Sequence, residues 1–389
     1  MKIFTSLLKV CAAALIMFGL SMPAQAIVYT LSNEVFENRV IAFDISKRSG
    51  KLYRIGSFDT QGTGTGATIG NQAALTTDAS DRWLFATNAG DGSLTSFRLQ
   101  PKGLEFVNKV PSGGHSAISV AVYGTLVYVL NEGSGEASDS PAFRYDNISA
   151  FRFTAGGVLE AIPGSTRILD NTQLTSPAQV GFNKSGTVVL ITEKATNTLT
   201  TFLVQKDGMP AKTPLKRPSA VPTPFGFEFG DRDFVYITEA NGGGQGVTAS
   251  YRVDRESGEV SSLVDRIDQG DATCWTVLSS DQTVGYSVNT GSGTVSLYRL
   301  NFDGTLRSFF GRRNFGFGHF GYGYRDQTDL QISTGTGPRD AVLTQNNQNL
   351  AVLNNGDSEI RVFKVSRNGS LRRGGTASIP PSATGLIAR

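Results

Sequence analysis

The chain is poor in the residues that most often carry chemistry. Its 389 residues include two cysteines, two histidines and two tryptophans. Cys11 lies in an apolar N-terminal run, so Cys274 is the only cysteine beyond it, and no intrachain disulfide can staple the fold. Two histidines and one such cysteine exclude a zinc cluster of the usual ligand sets. Nucleophile-elbow, Walker and dinucleotide fingerprints are missing, as is a D-x-D-x-D-G calcium loop. An excess of one charge is also missing, with 36 Lys and Arg against 33 Asp and Glu. Two of the basic residues fall within the first 26, which leaves 34 against 33. Such a balance creates no field to attract nucleic acid or an anionic membrane. Beyond residue 26 no amphipathic helix pattern stands out, and no run approaches the ~18 apolar residues that a membrane span needs.

The N-terminus has a recognisable pattern. Lys2 and Lys9 are the only charges in residues 1–26, an apolar run covers Val10 to Leu20, and Ala24-Gln25-Ala26 gives a small-x-small ending. This reads as a secretory signal peptide, with cleavage expected after Ala26. The protein is therefore expected to be exported, to a periplasm or out of the cell. Residues 27–389 remain, more than one hydrophobic core usually serves.

That length is explained by repetition. IAFDI (41–45), TSFRL (95–99), SAFRF (149–153), TTFLV (200–204), ASYRV (249–253), SLYRL (296–300) and RVFKV (361–365) each centre on an aromatic. The aromatics are Phe43, Phe97, Phe151, Phe202, Tyr251, Tyr298 and Phe363. An apolar strand precedes each of them, as in WLFATN (83–88) or VVLITE (188–193). After most of them a Gly and an apolar residue open another strand. Self-similarity at this period indicates a repeat architecture, and short alternating apolar runs between Gly, Asn and Asp indicate strands. The expected fold is all-β, a seven-bladed propeller of four-stranded antiparallel blades. The first repeat starts at VYTLSN (28–33) without an inner strand, and GLIAR (385–389) is left over at the end. The C-terminal strand is therefore expected to close the ring.

Two stretches exceed the repeat. GSGEASDSPAFRYDN (133–147) separates the second and third strands of repeat three. GRRNFGFGHFGYGYRD (311–326) lengthens repeat six, and removing its 16 residues restores the normal spacing of aromatics. It is expected to interrupt or follow an outer strand. Both are expected to be dispensable for folding, since function in repeat scaffolds resides in such loops.

The stretches 70–99, 110–133, 191–204 and 289–300 resemble the lactonase-like seven-bladed propellers, the group of 6-phosphogluconolactonase and 3-carboxymuconate cyclase type. The resemblance implies a propeller and a lactone-opening or lactone-closing site of His, Arg and Glu at one mouth of the central channel. It also implies a Pro-Arg-His run entering an inner strand. The Pro position reads Asn71, Ser116, Pro177, Pro224, Thr273 and Pro338, and two places on stand Ala73, Ile118, Gln179, Gly226, Trp275 and Asp340. No repeat holds the full run.

The candidate catalytic residues are His115 on the entry to an inner strand, Arg339 after Pro338, and Glu132, Glu193 and Glu239 at the ends of three second strands. A histidine can act as a base near neutral pH, and an Arg can hold a carboxylate or polarise a carbonyl. Asn88, Asn131, Asn289 and Asn354 are expected to serve turns that need positive φ. Cys274 and Trp275 are expected in the core. No cofactor is implied; a channel calcium held by Asn, Asp and Glu oxygens stays compatible with the sequence. Two functions remain open: hydrolysis or cyclisation of a small lactone or sugar-like ligand, and non-catalytic binding of a protein, glycan or cell-envelope partner through the loop-bearing face. A monomer is expected.

Overall fold

The structure, a computed structural model, describes residues 26–308 and 331–389. The expected signal segment up to residue 25, the insertion 311–326 and its His319 lie outside the described residues. The rest forms seven antiparallel sheets arranged as seven blades. In blade 4 the strands run Pro177–Phe182, Val188–Glu193, Thr198–Leu203 and Leu215–Pro218 from the inside outwards. The other inner strands are Leu75–Thr77, Ser116–Tyr123, Pro224–Phe229, Thr273–Leu278 and Pro338–Leu343 for blades 2, 3, 5, 6 and 7.

Second strands are buried along nearly their whole length, completely in Val188–Glu193 and save for half-buried ends in Leu126–Glu132 and Phe234–Glu239. Neighbouring blades cover both of their faces, so these strands read as nearly continuous apolar runs rather than alternating ones. The seven repeat aromatics are all buried and anchor the apolar clusters between adjacent blades. Outer strands alternate between half-buried and exposed positions.

The ring closes as the leftover strand requires. Thr384–Ala388 is the inner strand of blade 1 and pairs antiparallel with Ala26–Leu31, placing Val28 opposite Ala388. Ile27 and Arg389 exchange both backbone hydrogen bonds, at 3.1 and 3.0 Å. The first and last strands thus share one sheet, which leaves no unpaired inner edge.

The outer strands share one irregularity. In blades 1, 2, 5 and 7 each carries a bulge beside the repeat aromatic, between Ala42 and Phe43, Ser96 and Phe97, Ser250 and Tyr251, and Arg361 and Phe363. Blade 6 is interrupted at the same point: Tyr298 pairs with Ser308, and Ser296 with Gln331. The Gly-aromatic insertion therefore enters where sibling blades carry a bulge. Blade 3 breaks there too, with Phe151 opposite Ala161 and Ile148 opposite Arg167. A bulge leaves a residue unpaired, so extra chain enters there without removing a ladder bond.

The insertion 133–147 is not a separate decoration. Asp146 is fully buried; its carboxylate accepts from the Gly133 amide at 2.8 Å, the Thr175 amide at 2.5 Å, the Thr175 hydroxyl at 3.0 Å and the Ser176 amide at 3.1 Å. It ties the loop of blade 3 to the entry of blade 4. Between them lies a single helical turn, Pro141–Arg144. The expectation that residues 133–147 are dispensable for folding fails at Asp146 and Asn147.

Candidate functional site

Strand register sorts the candidates. Glu193 and Glu239 pair with residues at or near the start of their third strands, Thr198 and Val247. Asn88, Asn131, Asn289 and Asn354 occupy the same position in their own blades. All six are fully buried and point into the blade. Glu193 accepts from Thr200 at 2.6 Å and Thr196 at 2.8 Å. Glu239 accepts from the Val221 amide at 2.7 Å, the Ala220 amide at 3.2 Å and the Tyr251 hydroxyl. Asn88 donates to Ser93 and Thr95, and Asn289 to Thr294 and Ser296. None of these asparagines has positive φ, so their service is to tie strand ends rather than to relax turns. Burial pushes the Glu193 carboxyl up, and pushes that of Glu239 up to about 7 despite its three donors. Both glutamates belong to the interior of their blades.

Glu132 lies one residue further on, after Asn131, and so faces the other way. Its counterpart in blade 4 is Lys194, a residue the sequence reading missed because it follows a strand that seemed to end in glutamate. The structure puts Lys194 and His115 within electrostatic reach of Glu132. Burial raises the Glu132 carboxyl, and the nearby charges of Lys194 and His115 oppose that rise. Lys194 Nζ sits 5.0 Å from the centroid of the Phe225 ring and donates to the Gly70 carbonyl at 2.5 Å and the Pro177 carbonyl at 2.8 Å. Burial pulls its pKa down to about 8. The His115 ring packs edge-on against Phe143 at 4.6 Å between centroids, so the insertion helps to place it. Arg339 is tied to this group only through Cys274. Its charge and that of Lys194 both reach the Cys274 thiol, which burial pushes up to about 11.

The register also moves the Pro-Arg-His slot in two blades. Gln179 pairs with Thr192, Gly226 precedes Phe227 opposite Ile237, Trp275 pairs with Val288, and Asp340 with Leu353. The equivalents in blades 2 and 3 are Ala74 and Ser119 rather than Ala73 and Ile118, because Leu75 pairs with Ala86 and Ser119 with Leu130. The position is set by pairing with the second strand, which a count made along the sequence does not see.

Several slot residues tie blades to one another. The Val180 amide donates to Ser119 Oγ at 3.2 Å. Gln179 accepts from the Phe227 amide at 2.7 Å and donates to its carbonyl at 3.1 Å. Asp340 accepts from the Leu386 amide at 2.9 Å. Asp340 is buried at 2 % exposure, and its carboxyl is held well above the usual range by desolvation. Trp275 and Cys274 pack in the core as expected, with Trp275 against Phe225 at 4.9 Å.

One segment reaches the inner strands of several blades. The link from blade 1 to blade 2 carries Asn71 and Gln72, both buried. Asn71 donates to the Ile118 carbonyl of blade 3 and accepts from Thr384 of blade 1 at 2.9 Å. The Gln72 amide donates to the Ala178 carbonyl of blade 4 at 3.0 Å, and its side chain lies against Gly226 of blade 5. Two consecutive residues that touch the inner strands of four blades must lie over the axis of the ring. The sequence signal for this was the 15-residue link between strands ending at Asp59 and beginning at Leu75, long for a connection between adjacent elements.

Among the described residues no group of three or more His, Cys, Asp or Glu is placed to hold a metal ion. No described helix is long and apolar enough to cross a membrane.

Residues 20–139 match the family described as lactonase, 7-bladed beta-propeller. No curated protein matches the chain by sequence. Among solved structures, a protein of Bacteroides fragilis with a provisional 6-phosphogluconolactonase name is similar at a TM-score of 0.70 and 15 % identity, covering 95 % of this chain and 99 % of its own. The periplasmic gluconolactonase PpgL of Pseudomonas aeruginosa is similar at 0.69 and 15 % identity, covering 93 % and 99 %. A protein of Lactobacillus plantarum is similar at 0.69 and 15 % identity, covering 94 % and 99 %. The fold is thus lactonase-like over the whole ring.

Proposed function

We propose that this lactonase-like propeller works as a non-catalytic binding scaffold, exported from the cell and engaging an envelope partner through the face that carries residues 133–147. The observation that supports this reading is the use made of the channel mouth. Asn71 and Gln72 occupy it, and Ser119, Gln179 and Asp340 at the slot positions are engaged in bonds to neighbouring blades. Groups committed to holding the ring together are poor candidates for proton transfer, which needs a free base within reach of substrate. The binding face has rigid material to offer: Asp146 pins the insertion, and Phe143 and Arg144 on its helical turn are accessible to solvent.

The test compares two measurements on the same preparation. Folded protein is incubated with sugar, aromatic and acyl lactones, and cells producing it are fractionated with and without Phe143→Ser/Arg144→Ser. No turnover, together with release of the double variant from the envelope fraction, is the expected result. Turnover by the parent that disappears in Glu132→Gln overturns it.

That second outcome corresponds to a reading with its own support. Glu132 has no hydrogen-bond donor to its carboxylate among the described residues, has a raised pKa, and lies beside a lysine with a lowered one. Two titrating groups pushed towards neutrality from opposite sides suit acid–base work on a lactone.

A further inference from the structure

We propose that Thr68–Gln72 is a hinged strap that closes the channel mouth and lifts as a unit without unfolding the blades, uncovering Lys194 and the Phe225 ring. The inference rests on where these residues lie and holds under either functional reading.

The strap differs from the chain on both sides of it. Upstream, residues 60–65 are fixed. The Asn38 amide donates to the Gly62 carbonyl at 2.9 Å, the Thr65 amide to Asn33 Oδ1 at 3.0 Å, and the Gly64 amide to the Glu34 carbonyl at 2.8 Å. A Cβ on Gly64 would lie 2.2 Å from the Asn33 carbonyl carbon, so that part is packed against the blade. Downstream, Leu75–Thr77 is a paired inner strand. Between them Thr65–Thr68 is exposed. Gly66, at φ +72°, is still packed, since a Cβ there would lie 2.3 Å from Val35 Cγ2, and its amide and the Ala67 carbonyl are bonded to Asn33 at 2.9 and 2.7 Å; Gly70 has room for a Cβ in ordinary contact with Phe225 and Lys194. Chain that is anchored at both ends and loosely packed at Gly70 can pivot there.

The seated position also carries two local penalties that lifting removes. The Gln72 Oε1 atom is buried without a hydrogen-bond partner, and an unsatisfied buried acceptor opposes burial. The Lys194 ammonium is desolvated beneath Gly70, as its lowered pKa reflects. Against these stand the Lys194–Gly70 bond, the bonds of Asn71 and the Gln72 amide, and the packing of Ile69 on the apolar cluster of blades 3 and 4. Opposing contributions at one small segment, with the blades uninvolved, are the condition for a local opening of lower free energy than global unfolding.

Two measurements on the full chain test this. Native-state hydrogen exchange follows the Gln72 amide against the Val180 and Phe227 amides of inner strands. The expected result is that Gln72 exchanges at least tenfold faster and with little denaturant dependence. Reductive methylation then follows Lys194 against the exposed Lys102 and Lys206 by peptide mass spectrometry. Lys194 is expected to label slowly in the parent and at least tenfold faster in Asn71→Ala, while Lys102 and Lys206 do not change. Gln72 exchanging only together with the inner strands overturns the proposal and makes the segment a fixed plug. So does Lys194 labelling as fast as Lys102 in the parent, because then nothing covers it. Should Asn71→Ala fail to fold, the exchange comparison on the parent decides the matter alone.

Discussion

Glu228 shows how far the environment of a single residue can depart from what its type suggests. It sits on the inner strand of blade 5, no described residue hydrogen-bonds to its carboxyl, and burial pushes that carboxyl up to about 7. A carboxyl whose folded pKa exceeds its unfolded value binds more protons when folded, so its contribution falls as pH rises from the unfolded value towards 7 and stays unfavourable above. Glu228 is only half-buried, and its contact with solvent screens part of that cost. Glu228→Gln is accordingly expected to raise the unfolding midpoint at pH 8 and to change it little at pH 4, as read by denaturant titration at both pH values. Glu239 carries the same sign of shift but also holds two backbone amides and a tyrosine hydroxyl. Glu239→Ala strands those donors, and the expected loss of stability at pH 4 is about 2–3 kcal/mol, under conditions where Glu228→Gln changes little. The sequence showed three similar glutamates, and only register separated them. Glu132 is displaced by one place from Glu193, and in a strand one place reverses the side to which a group points.

Strands, loops and insertions set the second scale. The seven central aromatics, the second-strand runs and the C-terminal closing strand could all be read from the sequence, since burial on both faces imposes a dense local pattern. Positions at the entries of the inner strands could not. Pairing puts the slot at Ala74 and Ser119, and register depends on contact between segments rather than on local composition. The same reasoning separates the two insertions. Removing 135–140 is expected to leave stability nearly unchanged, whereas removing 133–147 is expected to prevent folding because it takes Asp146 from Thr175 and Ser176 and Asn147 from its strand. Replacing 309–330 by a two-residue bulge is expected to leave the unfolding midpoint unchanged, since Ser308 and Gln331 pair with positions only two apart on one strand. Circular dichroism melts of the three variants check both statements.

For the whole molecule, the ring has one closure and, among the described residues, no disulfide. Cys274 is free and buried, so the first and last strands are held only by pairing and packing. Truncation before Thr384 exposes the inner edge of blade 1 and the ring faces of blades 2 and 7 at once. It is expected to give aggregated protein rather than a six-bladed ring, as size-exclusion chromatography of the truncated chain will show. The sequence by itself determined the number of blades, their strand order and the closing strand, because each repeat carries its own hydrophobic pattern and each pattern is local. It also determined that no histidine stands at the slot of any blade, since every register brings a non-histidine there. Only the tertiary structure decided which charged groups come within electrostatic reach, Glu132 with Lys194 and His115 but not with Glu193 or Glu239, and what fills the mouth. Those outcomes depend on contacts between residues far apart in the chain, such as Asn71 with Thr384, which no local pattern encodes.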